Sequence, residues 1–417
     1  MKKLLIIASA MLLVACLPEP TTTTNSAGPA VISTADPSET DSEETTPEDQ
    51  SSFNLAVAAA SPDYSASDVI LINPDPVGDE VIEQRIHTTN PSDIGIAFSA
   101  NQLYRLERSN SDSISKIGIN SGVVSIDWQR SILGEDDSAN PYNLLALSAN
   151  LAYVARFNSK DLWVIDPSAT DGEDVLVEKI DLSAFATASS GIPQMTDLKL
   201  VDGKLFVLLA GLADPDPSYY NSTFALQNSK VVVIDTNTNS PLDTDALTAG
   251  VQAIELPVRN AKEFSLLNGV LYISASGDGY NPDTSGKFTG GIATLNATSY
   301  ATALLIDDGE LGAAPYGNIS GVTVSANNDV YFSGSVSWGN DKVFVLRAGT
   351  STPSEIVLGT NQYNIGDLLA TDDALYVGVQ AQSDGSENAG LKVIDLDDGT
   401  VNRLIELTYN PTQILAL

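Results

Sequence analysis

Residues 143–183 read NLLALSANLAYVARFNSKDLWVIDPSATDGEDVLVEKIDLS. The apolar runs Leu144–Leu147, Leu151–Ala155, Leu162–Ile165 and Val175–Leu182 are separated by Ser-Ala-Asn, Asn-Ser-Lys-Asp and Asp-Pro-Ser-Ala-Thr-Asp-Gly. Runs of this length, parted by residues that bond their own backbone or accept a left-handed φ, are strands joined by tight turns. Four short strands in about forty residues, returning at that period, make one blade of a radial repeat.

The period does return. A second-strand motif recurs at Leu103-Tyr104-Arg105-Leu106, Leu151-Ala152-Tyr153-Val154, Leu205-Phe206-Val207-Leu208, Leu271-Tyr272-Ile273, Val330-Tyr331-Phe332 and Leu375-Tyr376-Val377. A third-strand motif recurs as Leu162-Trp163-Val164-Ile165-Asp166, Val232-Val233-Ile234-Asp235, Val343-Phe344-Val345-Leu346 and Lys392-Val393-Ile394-Asp395. Six full units follow, at about 91–133, 141–183, 193–258, 260–307, 317–359 and 363–407. Phe53–Thr88 supplies second, third and fourth strands with no first strand before them, and Asn410–Leu417 looks like a first strand alone. The two remnants complete one further blade. The chain therefore reads as all-β, a seven-bladed β-propeller whose closing blade is shared by N- and C-terminal strands; six or eight blades are the alternative counts. The copies LAYVARFNSKDLWVIDPSAT, LYVGVQ…LKVIDLDDGTV and VVVIDTNTN resemble YVTN-type propeller repeats. That resemblance implies the fold and carries no catalytic residue with it.

Met1–Cys16, MKKLLIIASAMLLVAC, has a basic start, an apolar stretch too short for a stable membrane span, and the single cysteine of the chain at its end. Leu13-Val14-Ala15-Cys16 resembles the lipobox of bacterial lipoproteins. The resemblance implies a signal peptide over 1–15, cleavage before Cys16, and a lipid on its sulfur. With more than one acyl chain the protein would be held on a membrane, and Leu17 in place of Asp points to the outer membrane, at the cell surface or the periplasmic leaflet. Residues 16–52, rich in Ser, Thr, Pro, Asp and Glu, read as a disordered tether, and 53–417 as the propeller domain.

Acids outnumber bases 54 to 20, a net charge of −34, which repels phosphate backbones and excludes nucleic acid as a partner. One cysteine allows no intrachain disulfide, and one histidine, His87, leaves Ser-His and Cys-His catalysis without material. Candidate binding residues come from two patterns. The long loops Gly211–Lys230 and Gly277–Gly291 carry Tyr219, Tyr220 and Tyr280 beside several aspartates. The entries to the innermost strands repeat a Tyr-Asn pattern: Tyr142 with Asn143, Tyr316 with Asn318, Tyr363 with Asn364, Tyr409 with Asn410. A flat ring beside an amide suits a sugar or a peptide strand, and turn chemistry with packing between blades is the plainer reading. No other cofactor is implied, and calcium is the metal to weigh: Asp278, Asn281 and Asp283 are weak candidate ligands, because the EF-hand spacing is not met.

The expected role is a monomeric binding or scaffolding module for a glycan, peptide or protein. A metal-assisted propeller hydrolase, lactonase or lyase is the enzymatic alternative. An accessory part of an envelope assembly machine, like the propeller lipoprotein of outer-membrane protein insertion, is the third.

Overall fold

The computed structural model describes residues 53–417 except 75–83, 89–91, 109, 121–122, 171–173, 187–190, 213–226, 246, 280–284 and 338. Among the described residues, twenty-nine strands form seven separate antiparallel sheets, the blades of a propeller. In chain order the innermost strands are Ile94–Ser99 (blade 1), Pro141–Ser148 (2), Met195–Val201 (3), Ala261–Leu267 (4), Asn318–Val324 (5) and Ile365–Ala370 (6). Each is followed outward by its second, third and fourth strands, as in Leu151–Arg156, Asp161–Ile165 and Leu176–Asp181 of blade 2. Blade 7 takes its innermost strand, Asn410–Ala416, from the C-terminus and its others, Leu55–Ala60, Ser67–Ile72 and Gln84–Thr88, from the N-terminal side. The closing blade is assembled as the two remnants require, and the count is seven.

Burial explains the strand pattern. Second and third strands pack on both faces, so Leu55–Ala60 and Leu162–Ile165 are buried at every position and read as continuous apolar runs. Fourth strands face solvent on one side; Leu176–Asp181 buries only Ile180 fully. Seven apolar clusters fill the seven junctions, one between each pair of neighbouring blades. One of them joins Ile70, Ile72 and Ile414 to Tyr376 and Leu391 across blades 7 and 6. The next joins Ala56, Val69 and Ile86 to Ile96 and Leu103 across blades 7 and 1. No junction is left open.

First-to-second strand hairpins turn on left-handed pairs: Ala100-Asn101 (φ 51° and 57°), Asp202-Gly203 (49° and 73°) and Asn268-Gly269 (50° and 75°). Two-residue turns of this hand match the strand twist, which is why Asn and Gly punctuate the repeat.

Candidate functional site

A cavity of about 780 Å³ lies on the propeller axis, lined by the innermost strands of all seven blades. Its walls follow from one irregularity. Six of the seven innermost strands skip a residue against their neighbour, at Tyr142, Thr196, Lys262, Ser320, Gly366 and Thr412. A bulge leaves the extra residue unpaired and re-aims the chain. The residue after it is Asn143, Asp197, Glu263, Gly321, Asp367 or Gln413, and Gly95 stands at the matching place in blade 1.

These positions stitch the ring together. Gln413 Oε1 accepts from the Ile96 amide at 2.8 Å, Glu263 Oε1 from Val322 at 2.8 Å, and Asp367 Oδ2 from Ile414 at 2.7 Å. Asp197 Oδ2 accepts from Phe264 N at 2.6 Å, while its Oδ1 takes the Asn143 side-chain amide. Where the position is glycine, a hydroxyl further along the same strand substitutes. Ser99 Oγ accepts from Ala146 N at 2.8 Å, and Thr323 Oγ1 from Ala370 N at 3.0 Å. Every blade thus holds the next one at the channel wall, in a closed belt.

The belt is electrostatically lopsided. Blades 3, 4 and 6 contribute carboxyls, whereas blades 7, 1 and 2 contribute Gln413, Gly95 and Asn143. Burial pushes the Asp197 carboxyl up and the Asp367 carboxyl up to about 7. Burial, reinforced by the charge of Asp367, holds Glu263 well above the usual carboxylate range. Lys262, the bulge residue of blade 4, reaches solvent along the channel but is crowded enough that desolvation lowers its pKa; its Nζ donates to Asn260 Oδ1 at 3.1 Å.

Over the arc of the belt that holds no carboxyl, Asp93, Arg108 and Tyr142 line the cavity. Arg108 sits 4.5 Å above the Tyr142 ring, which stacks on Phe157 at 4.6 Å, and Asp93 lies 3.6 Å from the guanidinium. Tyr64, in the second-to-third strand turn of blade 7, also lines the cavity; it is 63% exposed and holds φ at 58°. Its turn is tightly made. Ser61 Oγ accepts from the amides of Ser65 and Ala66, and Asp63 Oδ1 from Ser61 Oγ and from Ser65. A bulky residue in the left-handed region is an outlier that its surroundings must enforce.

The entry residues separate into two groups. Among the described ones, Tyr142 and Asn143 line the channel. Tyr316 packs edge-on against Phe332 and Phe344 (5.4 and 5.2 Å) at the blade 4–5 junction, with Asn318 beginning the innermost strand beside it. Tyr363 is buried in the blade 5–6 cluster with the Lys392 ammonium 4.8 Å from its ring, and Asn364 is exposed. Tyr409 packs at the blade 6–7 junction under Arg85, 5.5 Å away; Asn410 Oδ1 caps the Ala381 amide at 2.9 Å. Cys16, Tyr219, Tyr220, Tyr280, Asn281 and Asp283 lie outside the described residues, and Asp278 stands in the turn before them. No three His, Cys, Asp or Glu side chains among the described residues are grouped to share a metal ion.

Sequence reasoning missed the belt and Tyr64. The signal for the belt is present once first strands, rather than second strands, are aligned: DIGI, PYNL, MTDL, AKEF, ISGV, IGDL and PTQI, starting at 93, 141, 195, 261, 319, 365 and 411. The third column holds small or polar residues throughout, and the fourth is apolar.

The fold is shared with solved structures at low identity. A hypothetical selenium-binding protein from Sulfolobus tokodaii is similar with a TM-score of 0.58 at 10% identity, over 88% of this chain and 94% of that one. A protein from Lactobacillus plantarum gives 0.55 at 13%, and a candidate 6-phosphogluconolactonase from Bacteroides uniformis 0.54 at 12%, each over 88% of this chain and 100% of the other. At such identity the likeness shows the propeller and nothing of its chemistry. No family model and no curated relative matches the chain.

Proposed function

We propose that the chain is an outer-membrane lipoprotein, anchored through Cys16, whose propeller binds a glycan at the mouth of its central channel. The lipid anchor rests on the lipobox resemblance; no helix of the described residues is long and apolar enough to cross a membrane. The YVTN resemblance of the repeats belongs with this reading. The observation that supports the ligand class is the uncharged arc. Tyr64 offers exposed aromatic surface in the cavity that Gln413 and Asn143 also line, and Arg108, seated on the Tyr142 ring with Asp93 beside it, supplies hydrogen-bonding groups at the rim. Aromatic faces beside amides and a paired ion suit a hydroxylated ring better than a strongly charged ligand.

The test is a glycan array followed by calorimetry on the purified protein. Tyr142→Ala and Tyr64→Ala should each weaken a captured glycan about five- to thirty-fold, the ~1–2 kcal/mol of a contact anchor, with the fold kept. Binding unchanged by both substitutions would overturn the site.

The buried acids Glu263 and Asp367 favour a second reading, an enzyme of the propeller hydrolase or lyase kind. Carboxyls in a cleft whose hold on a proton is strengthened by burial are suited to general-acid work. Turnover of lactone or glycoside substrates, lost in Glu263→Gln, would decide for it.

A further inference from the structure

Among the described residues, Arg108, Lys199 and Lys262 are the cations that line the axial cavity. Lys262 donates to Asn260, and the Lys199 charge bears on Asp197 and Glu263, on the acidic side of the belt. Arg108 stands over the other arc. Its guanidinium makes no hydrogen bond to a described residue, its Nε is buried without a partner, and Asp93 lies no closer than 3.6 Å from Nη1. Native proteins pair nearly all buried polar atoms, and a guanidinium carries five donors, so this one is an unfinished contact.

Packing, rather than hydrogen bonding, fixes that guanidinium. The Tyr142 ring lies 4.5 Å from its Cζ and is itself stacked on Phe157 at 4.6 Å. Gly95 leaves it room: a Cβ there would lie 2.9 Å from Nη2 and 3.4 Å from Cζ and Nε. The backbone beneath is held as well. Arg108 N donates to Asp93 O at 3.1 Å, and its carbonyl accepts from Ser111 and Asp112 at 3.0 and 3.1 Å. A planar cation seated on an aromatic face keeps its fork of N–H groups for a partner, with much of its ordering cost already met. Arg108 lines the cavity with 24% of its side chain exposed, so a ligand there can reach it.

Charge decides what fits. The fork matches a carboxylate through two parallel hydrogen bonds. A chain of net charge −34, with Asp93, Asp197, Glu263 and Asp367 on the same cavity, disfavours a dianion such as a phosphate monoester, whereas one carboxylate is balanced by one guanidinium. Asp93 does not fill the place. At 3.6 Å and 54% exposed it makes a surface ion pair, which is worth little beside a bidentate contact. Tyr64, exposed in the same cavity, gives a sugar ring its flat surface.

We propose that Arg108 is the specificity-determining residue of the channel, and that the glycan it selects carries one carboxylate, that of a uronic acid, held by the guanidinium through two hydrogen bonds. This rests on the glycan reading above and narrows it to acidic sugars.

Calorimetry on the full-length protein in detergent tests it, with glucuronate- and galacturonate-capped disaccharides set against their methyl esters, which keep the ring and remove the charge. One of the acids should bind about ten- to a hundred-fold more tightly than its ester, the size of a hydrogen-bonded charge contact, and the preference should shrink as salt rises. Arg108→Gln should bring the acid-to-ester ratio near one, and Arg108→Lys, which keeps the charge without the fork, should lose most of it. Gly95→Ala, whose methyl crowds Nη2, should lower the ratio with Arg108 still in place, and serves if the Arg108 variants fail to fold. Esters that bind as tightly as the acids, or a ratio unchanged in Arg108→Gln, overturn the proposal. Neutral glycans captured on the array with both acids inert also overturn it and leave the glycan site standing. An array that captures no glycan removes that site and this inference with it. Binding of an acetylated Gly-Glu amide with both uronates inert would assign the guanidinium to a peptide carboxylate and overturn the sugar.

Discussion

Deleting residues 410–417 removes the innermost strand of the closing blade, and the cost can be built from its contacts. Six residues of that strand, from Asn410 to Ala416, pair with Leu55–Ala60 across an antiparallel ladder. About six backbone hydrogen bonds at ~1 kcal/mol each come to ~6 kcal/mol. Ile414 is 2% exposed in the blade 6–7 cluster, and truncating such a side chain costs about 2–5 kcal/mol. The belt loses two further bonds, Gln413 to Ile96 and Ile414 to Asp367, at ~1–2 kcal/mol each. The total, on the order of 10–15 kcal/mol, equals the whole stability of an ordinary domain. The truncated chain should therefore lose its cooperative transition or aggregate, since the bared strand Leu55–Ala60 is apolar at every position. Thermal and guanidinium unfolding followed by circular dichroism reads this directly. Ile414→Ala provides the graded control, with a fall of about 2–5 kcal/mol in a transition that stays cooperative. A truncated protein melting within a degree or two of the parent would refute ring closure by the C-terminal strand.

Changing Cys16 to Ala should move the protein from membranes to a soluble fraction, and a variant that still sediments after a salt wash would sink the lipid anchor. Asp367→Asn should flatten the pH dependence of stability. The wild-type carboxyl titrates at about 7 folded against 3.8 unfolded, so its contribution is complete below pH 3.8 and is lost as pH rises through 7, by up to ~1.4 kcal/mol per pH unit; parallel melting profiles for the two proteins from pH 4 to 8 would contradict this. Arg156→Met should cost roughly 3–5 kcal/mol, because the fully buried guanidinium donates to Ile132 O, Leu133 O, Ser159 and Asp136 and lies 4.2 Å from the Trp163 ring. A shift under 1 kcal/mol in denaturant unfolding would show that the linker Ile132–Asp136 is held by something else.

The blades could be read from sequence because their second and third strands are buried on both faces. A run such as Leu205–Leu209 or Val231–Ile234 must be apolar throughout, and its turns must carry Asn, Asp or Gly. Those two constraints repeat in every blade, so units appear before any contact is known. The closing strand follows because an orphan first strand at one end fits three orphan strands at the other. First strands obey no such rule. Both sides of a first strand pack in junctions, as Leu144 and Leu145 do in the two beside blade 2, while its free edge meets the channel, and a bulge shifts the alternation midway, so the period-2 pattern breaks where the channel-lining residues stand.

That break also explains why the Tyr-Asn entries divide as they do. Tyr316, Tyr363 and Tyr409 stand ahead of the bulges at Ser320, Gly366 and Thr412, where the chain still runs between blades, and their rings are absorbed into the junction clusters. Tyr142 is itself the bulge residue of blade 2, so its ring turns to the cavity and Arg108 covers it. A shift of three or four positions along equivalent strands moves the same residue type from junction packing to the channel wall. Seven near-identical blades would make a symmetric channel with no preferred orientation for a guest. The third column of the first strands removes that symmetry: acids on blades 3, 4 and 6, amides on 7 and 2, glycine on 1 and 5. A ligand that meets the aromatic mouth over blades 7, 1 and 2 therefore has one way to face the acids. Exchanging Gly95 for Asp would set a carboxylate against the Arg108 guanidinium, whose Nη2 lies 2.9 Å from the Cβ position there, and so engage the cation that covers Tyr142. It would weaken a neutral ring there while the clusters that hold the blades, built from second and third strands, stay as they are.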